Sequence, residues 1–331
     1  MDALSDVLKQ VRLEGAVYLN AEFTAPWCIR GELGLASVRQ RLVGAEHVAF
    51  FHFLTEGACK VRLADGGEVL EAAAGDLLLF PQEGKHLLGT DLQLAPMEGD
   101  AVITPDPASG AELFQMRHGG GGTATRFVCG YLACSRSVFR PLLEALPRML
   151  RIPIGDGQAS ALLHELVRAG VRESRAQRPG ADSTLAKLAE LMFVEALRRY
   201  AESLPPQGRG WLAGVRDAHV GRALALLHGQ PGRDWTLEEL AREAALSRSA
   251  LGERFAALVG ESPMQYLKRW RLALAATALR SSDRAIALVA ADCGYESEAA
   301  FNRAFKREFG TPPAAWRRKR KSTGSSQSTS A

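Results

Sequence analysis

The chain has few cysteines, and none stands where chemistry would use it. Cys28, Cys59, Cys129, Cys134 and Cys293 form no C-x-x-C pair and no zinc-ligand spacing. Their odd number and scatter argue against a disulfide framework and fit a reducing compartment. Residues 1–15 carry acids and lysine where a signal peptide needs an apolar run. No stretch approaches the roughly 18 uninterrupted apolar residues of a membrane span. Together these absences make the cytoplasm the expected location. The glycine run Gly119–Gly122 lacks the Gly-Lys-Ser/Thr ending of a phosphate loop, so it reads as a turn. Net charge is also scarce: 41 Lys and Arg against 37 Asp and Glu leave +4, which by itself argues for no polyanion.

Distribution says more than the sum. Basic residues gather toward the C-terminus (Lys268, Arg269, Arg271, Arg303, Lys306, Arg307, then 317–321), the footprint of a nucleic-acid partner or of a solvated charged face. At 331 residues the chain suits two domains. Residues 15–135 read as short strands: 47–54, 59–63, 67–72, 76–81 and 126–134 are apolar or alternating runs broken by Gly and Asp, the pattern of a sandwich or barrel. From about 136 the period becomes helical, with helices expected over 137–146, 159–171 and 183–202. The expected fold is α+β in two domains: a sensor domain of β-barrel and helices over 1–203, a linker over 204–213, an all-α domain over 214–320 and a disordered tail over 321–331.

An internal repeat follows residue 234. Leu237, Leu240, Ala241 and Ala244 recur 49 positions on as Ile286, Val289, Ala290 and Cys293; Ser247, Leu251, Phe255, Gly260, Pro263 and Tyr266 recur 50 on as Ser297, Phe301, Phe305, Gly310, Pro313 and Trp316. Each copy spells helix, tight turn, helix. Thr236 with Glu239 forms a capping box, and Ser247 caps a helix over 248–259. In the second copy Asp283 is the expected cap of 284–292, and Ser297 of 298–309. Burying Leu251, Phe255 and Leu258 turns Arg248, Ser249, Gly252 and Glu253 outward. Burying Phe301, Phe305 and Phe309 does the same for Glu298, Ala299, Asn302 and Arg303. Between the copies, 263–281 is one helical run, about 28 Å long. That is a fitting rod between two readers of successive major-groove segments about 34 Å apart. A plain bundle with a duplicated hairpin is the alternative.

These residues resemble the AraC/XylS family of bacterial regulators over about 215–320, most specifically in Ile286-Ala287, 293–297, 301–306, Gly310 and Pro312-Pro313. The resemblance implies a double helix-turn-helix that binds promoter half-sites as a dimer, contacts RNA polymerase and usually activates. It implies base contacts from Arg248, Ser249, Gly252, Glu253, Glu298, Ala299, Asn302 and Arg303. Arg303 is the strongest of them, because a bidentate Arg–guanine contact gives ~1–3 kcal/mol of discrimination. Gly252 and Glu253 depart from the common pattern of long polar or basic side chains. Arg269, Lys306 and Arg307 are expected on phosphates, which position without specifying.

The N-terminal half resembles a cupin-type sensor domain, through 1–5, Glu71–Pro81 and Cys129-Gly130. Gly44, His52, Glu56, Gly75, Pro81 and His86 fall in the cupin metal register, with Phe50 replacing the first histidine. His52, Glu56 and His86 are a candidate effector or divalent-metal site, for zinc or non-haem iron, or remnants hydrogen-bonded inside the barrel; no other cofactor is indicated. Cys129 and Cys134 are candidate redox thiols, or inert buried cysteines. Helices 159–171 and 183–202 are candidates for the dimer interface or for covering the barrel. Three functions compete: a regulator answering a small-molecule or redox signal, not an enzyme; a cupin metalloenzyme with appended helices; and an architectural protein without sequence preference, marked by steep salt dependence alone.

Overall fold

A computed structural model of the protein describes residues 3–10, 14–33, 47–105, 114–134, 136–153, 165–166, 169–170, 172–173, 180–205 and 208–324. The helix expected over 159–171 lies mostly outside these residues, as does the tail from 325. Helix α1 (Ala3–Gln10) precedes eleven strands: β1 (Glu14–Thr24), β2 (Cys28–Leu33), β3 (His47–Glu56), β4 (Ala58–Leu63), β5 (Leu70–Ala73), β6 (Asp76–Phe80), β7 (Gly84–Gly89), β8 (Met97–Glu98), β9 (Ile103–Pro105), β10 (Phe114–Gly119) and β11 (Ala124–Cys134). Helix α2 (Arg136–Ala145), β12 (Leu150–Pro153) and α3 (Ala181–Ser203) complete the first half. The strands form a seven-stranded sheet, β12-β6-β3-β11-β1-β10-β9, and a five-stranded sheet, β5-β4-β7-β2-β8.

Alternation sorts the large sheet's side chains into two cores. Phe50, Leu54, Leu78, Phe80, Phe127, Cys129 and Tyr131 point inward, joining Phe23, Trp27 and Val61. The intervening Phe51, Phe53, Leu77, Leu79, Val128 and Leu132 point outward and are covered by Leu185, Ala189, Met192, Phe193, Ala196 and Leu197 of α3. Because both faces are buried, β3 and β6 read in the sequence as continuous apolar runs instead of alternating ones. Strand β12 falls where the sequence reads as helical; Leu150 and Ile152, two apart and both buried, carry its signal.

The second half is all helical: α4 (Trp211–Arg216), α5 (Ala218–Gly229), α6 (Leu237–Glu243), α7 (Arg248–Val259), α8 (Pro263–Ser281), α9 (Ile286–Asp292), α10 (Glu298–Phe309) and α11 (Pro313–Gly324). Two edges differ from expectation. Trp211 and Leu212, expected in a linker, are buried and begin α4. Helix α11 runs to Gly324, past the expected start of the tail.

The outer barrel core does not stop at the N-terminal half. Ala3, Leu4 and Val7 of α1 and Leu142 and Leu143 of α2 belong to the same apolar cluster as Trp211, Leu224, Leu227, Leu240, Leu251, Phe255 and Trp270. The first helix-turn-helix is thus built into the barrel's outer layer. The second has a core of its own, made by Leu272, Ala275, Ala276 and Leu279 of α8 with Val289, Ala290, Cys293, Phe301, Ala304 and Phe305.

Candidate nucleic-acid interface and sensor site

The caps form as the sequence demands, with one exception. Thr236 and Glu239 make the capping box of α6, and Ser262 and Gln265 make another for α8, whose Pro263 sits in the first turn where no amide donor is needed. Ser247 Oγ accepts from the Ala250 amide, and Ser297 Oγ from the Ala300 amide, each at 3.2 Å. Helix α9 instead starts after Ala285, with no side-chain cap, so Asp283 does not cap it. The turn inside each unit needs a left-handed residue: Gly294 has φ 74°, and its counterpart Ala245 holds φ 57° despite its Cβ.

With Leu251, Phe255, Phe301 and Phe305 fully buried, α7 leaves Arg248, Ser249 and Glu253 exposed, with Gly252 half-buried. Helix α10 leaves Glu298, Ala299 and Arg303 exposed, with Asn302 half-buried. The two helices differ in electrostatics. Arg248 pairs with Glu238 of α6 at 2.8 Å, and Arg254 binds Asp217, the N-cap of α5, at 2.5 Å. Arg303, Lys306 and Arg307 are exposed, and no ion pair holds them among the described residues.

Arg269 is not where a phosphate contact should be. It is 26% exposed, pairs with Glu261 at 2.5 Å and lies over the Tyr266 ring, so burial of the apolar side of α8 has drawn it inward. Arg271 is likewise a brace, donating to the carbonyls of Pro231 and Arg233 at 2.6 and 2.7 Å. The sequence reading missed Glu238 as the partner of Arg248; nothing local in the sequence marks that pair. It also missed Arg140 and Glu144, whose i, i+4 spacing was visible.

Under the first unit lies a buried polar chain. Trp211 Nε1 donates to Tyr266 Oη at 2.8 Å, and Tyr266 Oη lies 2.7 Å from His228 Nε2. The His228 ring stacks on Trp270 with centroids 4.2 Å apart. Burial drives its pKa down from the usual value to about 3, keeping it neutral.

Inside the barrel, His52 and His86 meet at 3.3 Å between their Nε2 atoms, both buried, with Phe80 stacked on His86. Burial lowers His52 to about 4, and burial with the facing His52 lowers His86 as well. Glu56 does not join them. The β3–β11 register shifts between the Leu54–Phe127 and Glu56–Arg126 pairs, and this bulge turns Glu56 to the outer face, onto Arg126, which also holds Glu22. Among the described residues no group of three His, Cys, Asp or Glu gathers as a metal site. Two imidazoles without the carboxylate do not fit the cupin metal set.

The redox expectation also fails on geometry. Cys129 and Cys134 lie five apart on one strand, so they face opposite sides: Cys129 joins the inner core and Cys134 the outer. Burial pushes the Cys129 thiol far above its ordinary range, which disfavours the reactive thiolate there. Cys59 is pushed up to about 12 for the same reason.

Residues 2–202 match the family described as Cupin, and residues 240–319 match a family described as Helix-turn-helix domain. A putative AraC-like transcription regulator of Streptomyces lividans is 33% identical over 319 residues, covering 96% of this chain and 98% of that one. The regulator AlkR of Acinetobacter baylyi is 28% identical, covering 96% and 99%. The activator RclR of Escherichia coli is 26% identical, covering 96% and 97%. Among solved structures, the DNA-binding domain of AdpA in complex with a target DNA shares 31% identity, covering 32% of this chain and 95% of that one, with a TM-score of 0.30. ToxT of Vibrio cholerae shares 12%, covering 93% and 97%, with a TM-score of 0.36. Each of these three relatives is a transcription regulator, which removes the metalloenzyme alternative. No described helix is long and apolar enough to cross a membrane. The chain belongs to the AraC family of DNA-binding transcription regulators, with a cupin domain ahead of its paired helix-turn-helix units.

Proposed function

We propose that the protein reads promoter half-sites with α7 and α10 laid in successive major-groove segments, and activates transcription from there. Arg248, Ser249, Gly252 and Glu253 of α7, and Glu298, Ala299, Asn302 and Arg303 of α10, are the proposed base-facing set. Lys306 and Arg307 hold phosphates; Arg269 leaves that list. The sensor domain is taken as 1–203, the linker as 204–210 and the DNA-binding domain as 211–324. The protein works in the cytoplasm as a homodimer, with RNA polymerase as its partner. A small-molecule effector shifts how the DNA-binding half is presented, and His52 and His86 are the polar groups it would meet inside the barrel. The exposed Leu191 of α3, flanked by half-buried Leu188 and Val194 on the same face, supports self-association there.

The observation that carries this reading is the pair of equivalent helices with outward polar faces, of which α10 keeps its arginine and lysine uncommitted. Arg303→Ala is expected to relax base preference at one position by ~1–3 kcal/mol, while Lys306→Ala weakens all sequences alike and flattens the salt slope. Fluorescence anisotropy on a set of single-base variants of one retained duplex measures both. Uniform loss in both variants would sink the base-reading assignment.

A further inference from the structure

A chain of charges crosses from the sensor half to the far end of the second recognition helix. Arg140 of α2 donates through Nε to Glu144 at 2.6 Å, and through its terminal nitrogen to Glu308 of α10 at 3.3 Å. Glu144 faces Arg269 of α8 at 3.9 Å, and Arg269 closes on Glu261 at 2.5 Å. Pro141, Trp270, Ala273 and Phe309 line the cavity beside these groups. Burial foremost, with the neighbouring carboxylates of Glu144 and Glu308, raises the Glu261 carboxyl against the pull of Arg269, as a partly desolvated cluster would.

The placement of this cluster gives it a use. The first unit shares its apolar core with the N-terminal half, whereas the core of the second contains no described side chain from that half. The pair between Arg140 and Glu308 spans that gap directly. Glu308 lies about 15 Å along α10 from Glu298, at ~1.5 Å per residue, so the contact leaves the base-facing end open.

We propose that Arg140 is a positioning residue for DNA recognition: through Glu308 it fixes the direction of α10 relative to the sensor and the first unit, and so sets the half-site spacing the full chain accepts. The proposal rests on the reading that α7 and α10 both enter the groove.

The test uses the full chain and duplexes carrying its two half-sites at separations varied one base pair at a time, together with a duplex holding only the half-site of α10. Arg140→Glu and Glu308→Arg are each expected to lower the preference for the best spacing roughly two- to fivefold, the worth of a partly exposed pair. Affinity for the lone half-site stays unchanged, and Arg140→Glu with Glu308→Arg restores the preference. Arg140→Gln, which reverses no charge, should move the same way by less. Unchanged spacing preference, failure of the double variant to restore it, or equal loss on every duplex would each overturn the proposal. A wild-type chain with no spacing preference at all would instead overturn the two-helix reading beneath it.

Discussion

The two helix-turn-helix units share a plan and differ in what holds them. The first is fused to the cupin domain: Phe255, Trp211 and Trp270 belong to the same apolar cluster as Phe51 and Leu79 of the barrel. Among the described residues the second has its apolar core on the end of α8, around Phe301 and Phe305, and is joined to the N-terminal half by the Arg140–Glu308 pair. A repeated sequence has thus produced one unit that shares a core with the barrel domain and one joined to it by charge. An effector that altered the barrel's outer layer would act on the first through packing and on the second through α2 and α8.

Cavities test this contrast most severely. Phe255→Ala and Phe305→Ala each remove a fully buried ring and are expected to destabilise by about 3–5 kcal/mol. Segment-resolved hydrogen exchange should show Phe255→Ala loosening α1, α2 and the outer face of the barrel together, and Phe305→Ala loosening only α9 to α11. Equal spread from both variants would erase the distinction.

Acid gives the next largest effect. His52 and His228 are held neutral, at about 4 and about 3, while the unfolded chain titrates near 6.5. The unfolded state therefore binds more protons below that value. Stability is full above about pH 6.5 and falls as pH drops toward 4, by on the order of 3 kcal/mol for His52 alone. No histidine follows His228 in the chain, so the second unit should resist this loss. Exchange protection measured at pH 7 and pH 4.5 should decline in the barrel and α5 and persist in α10; the reverse order would contradict the assignment.

The smallest effect lies in the turns. Ala245 holds a left-handed backbone that glycine adopts freely, so Ala245→Gly should stabilise the first unit by about 0.5–1 kcal/mol. Gly294→Ala should destabilise the second by more, because its Cβ would meet the Arg271 guanidinium at 2.9 Å. Thermal melts of the two variants decide the sign of each.

Much of the DNA-binding half was legible because its signals are local. Ser247, Ser297, Thr236 with Glu239, and the span Pro263–Ser281 are set by contacts within a turn or two of helix. What escaped was decided at long range. A bulge opposite Arg126 turned Glu56 away from His52, and no spacing pattern records a bulge. Arg269 lost its place on the outer surface to Glu261 and the packing of α8. Cys129 and Cys134 were separated by strand parity, which the strand read over 126–134 already carried. The sharing of one core between sensor and first unit was not readable, since apolar faces do not name their partners.

The proposed mode of reading places two helices of one chain a duplex turn apart on DNA. Selection of random duplexes by the full-length protein at physiological salt tests it most directly. Two short motifs about 10 base pairs apart should be enriched, with Arg303→Ala blurring one motif and leaving the other. Enrichment of a single motif, or none above scrambled competitor, would contradict it.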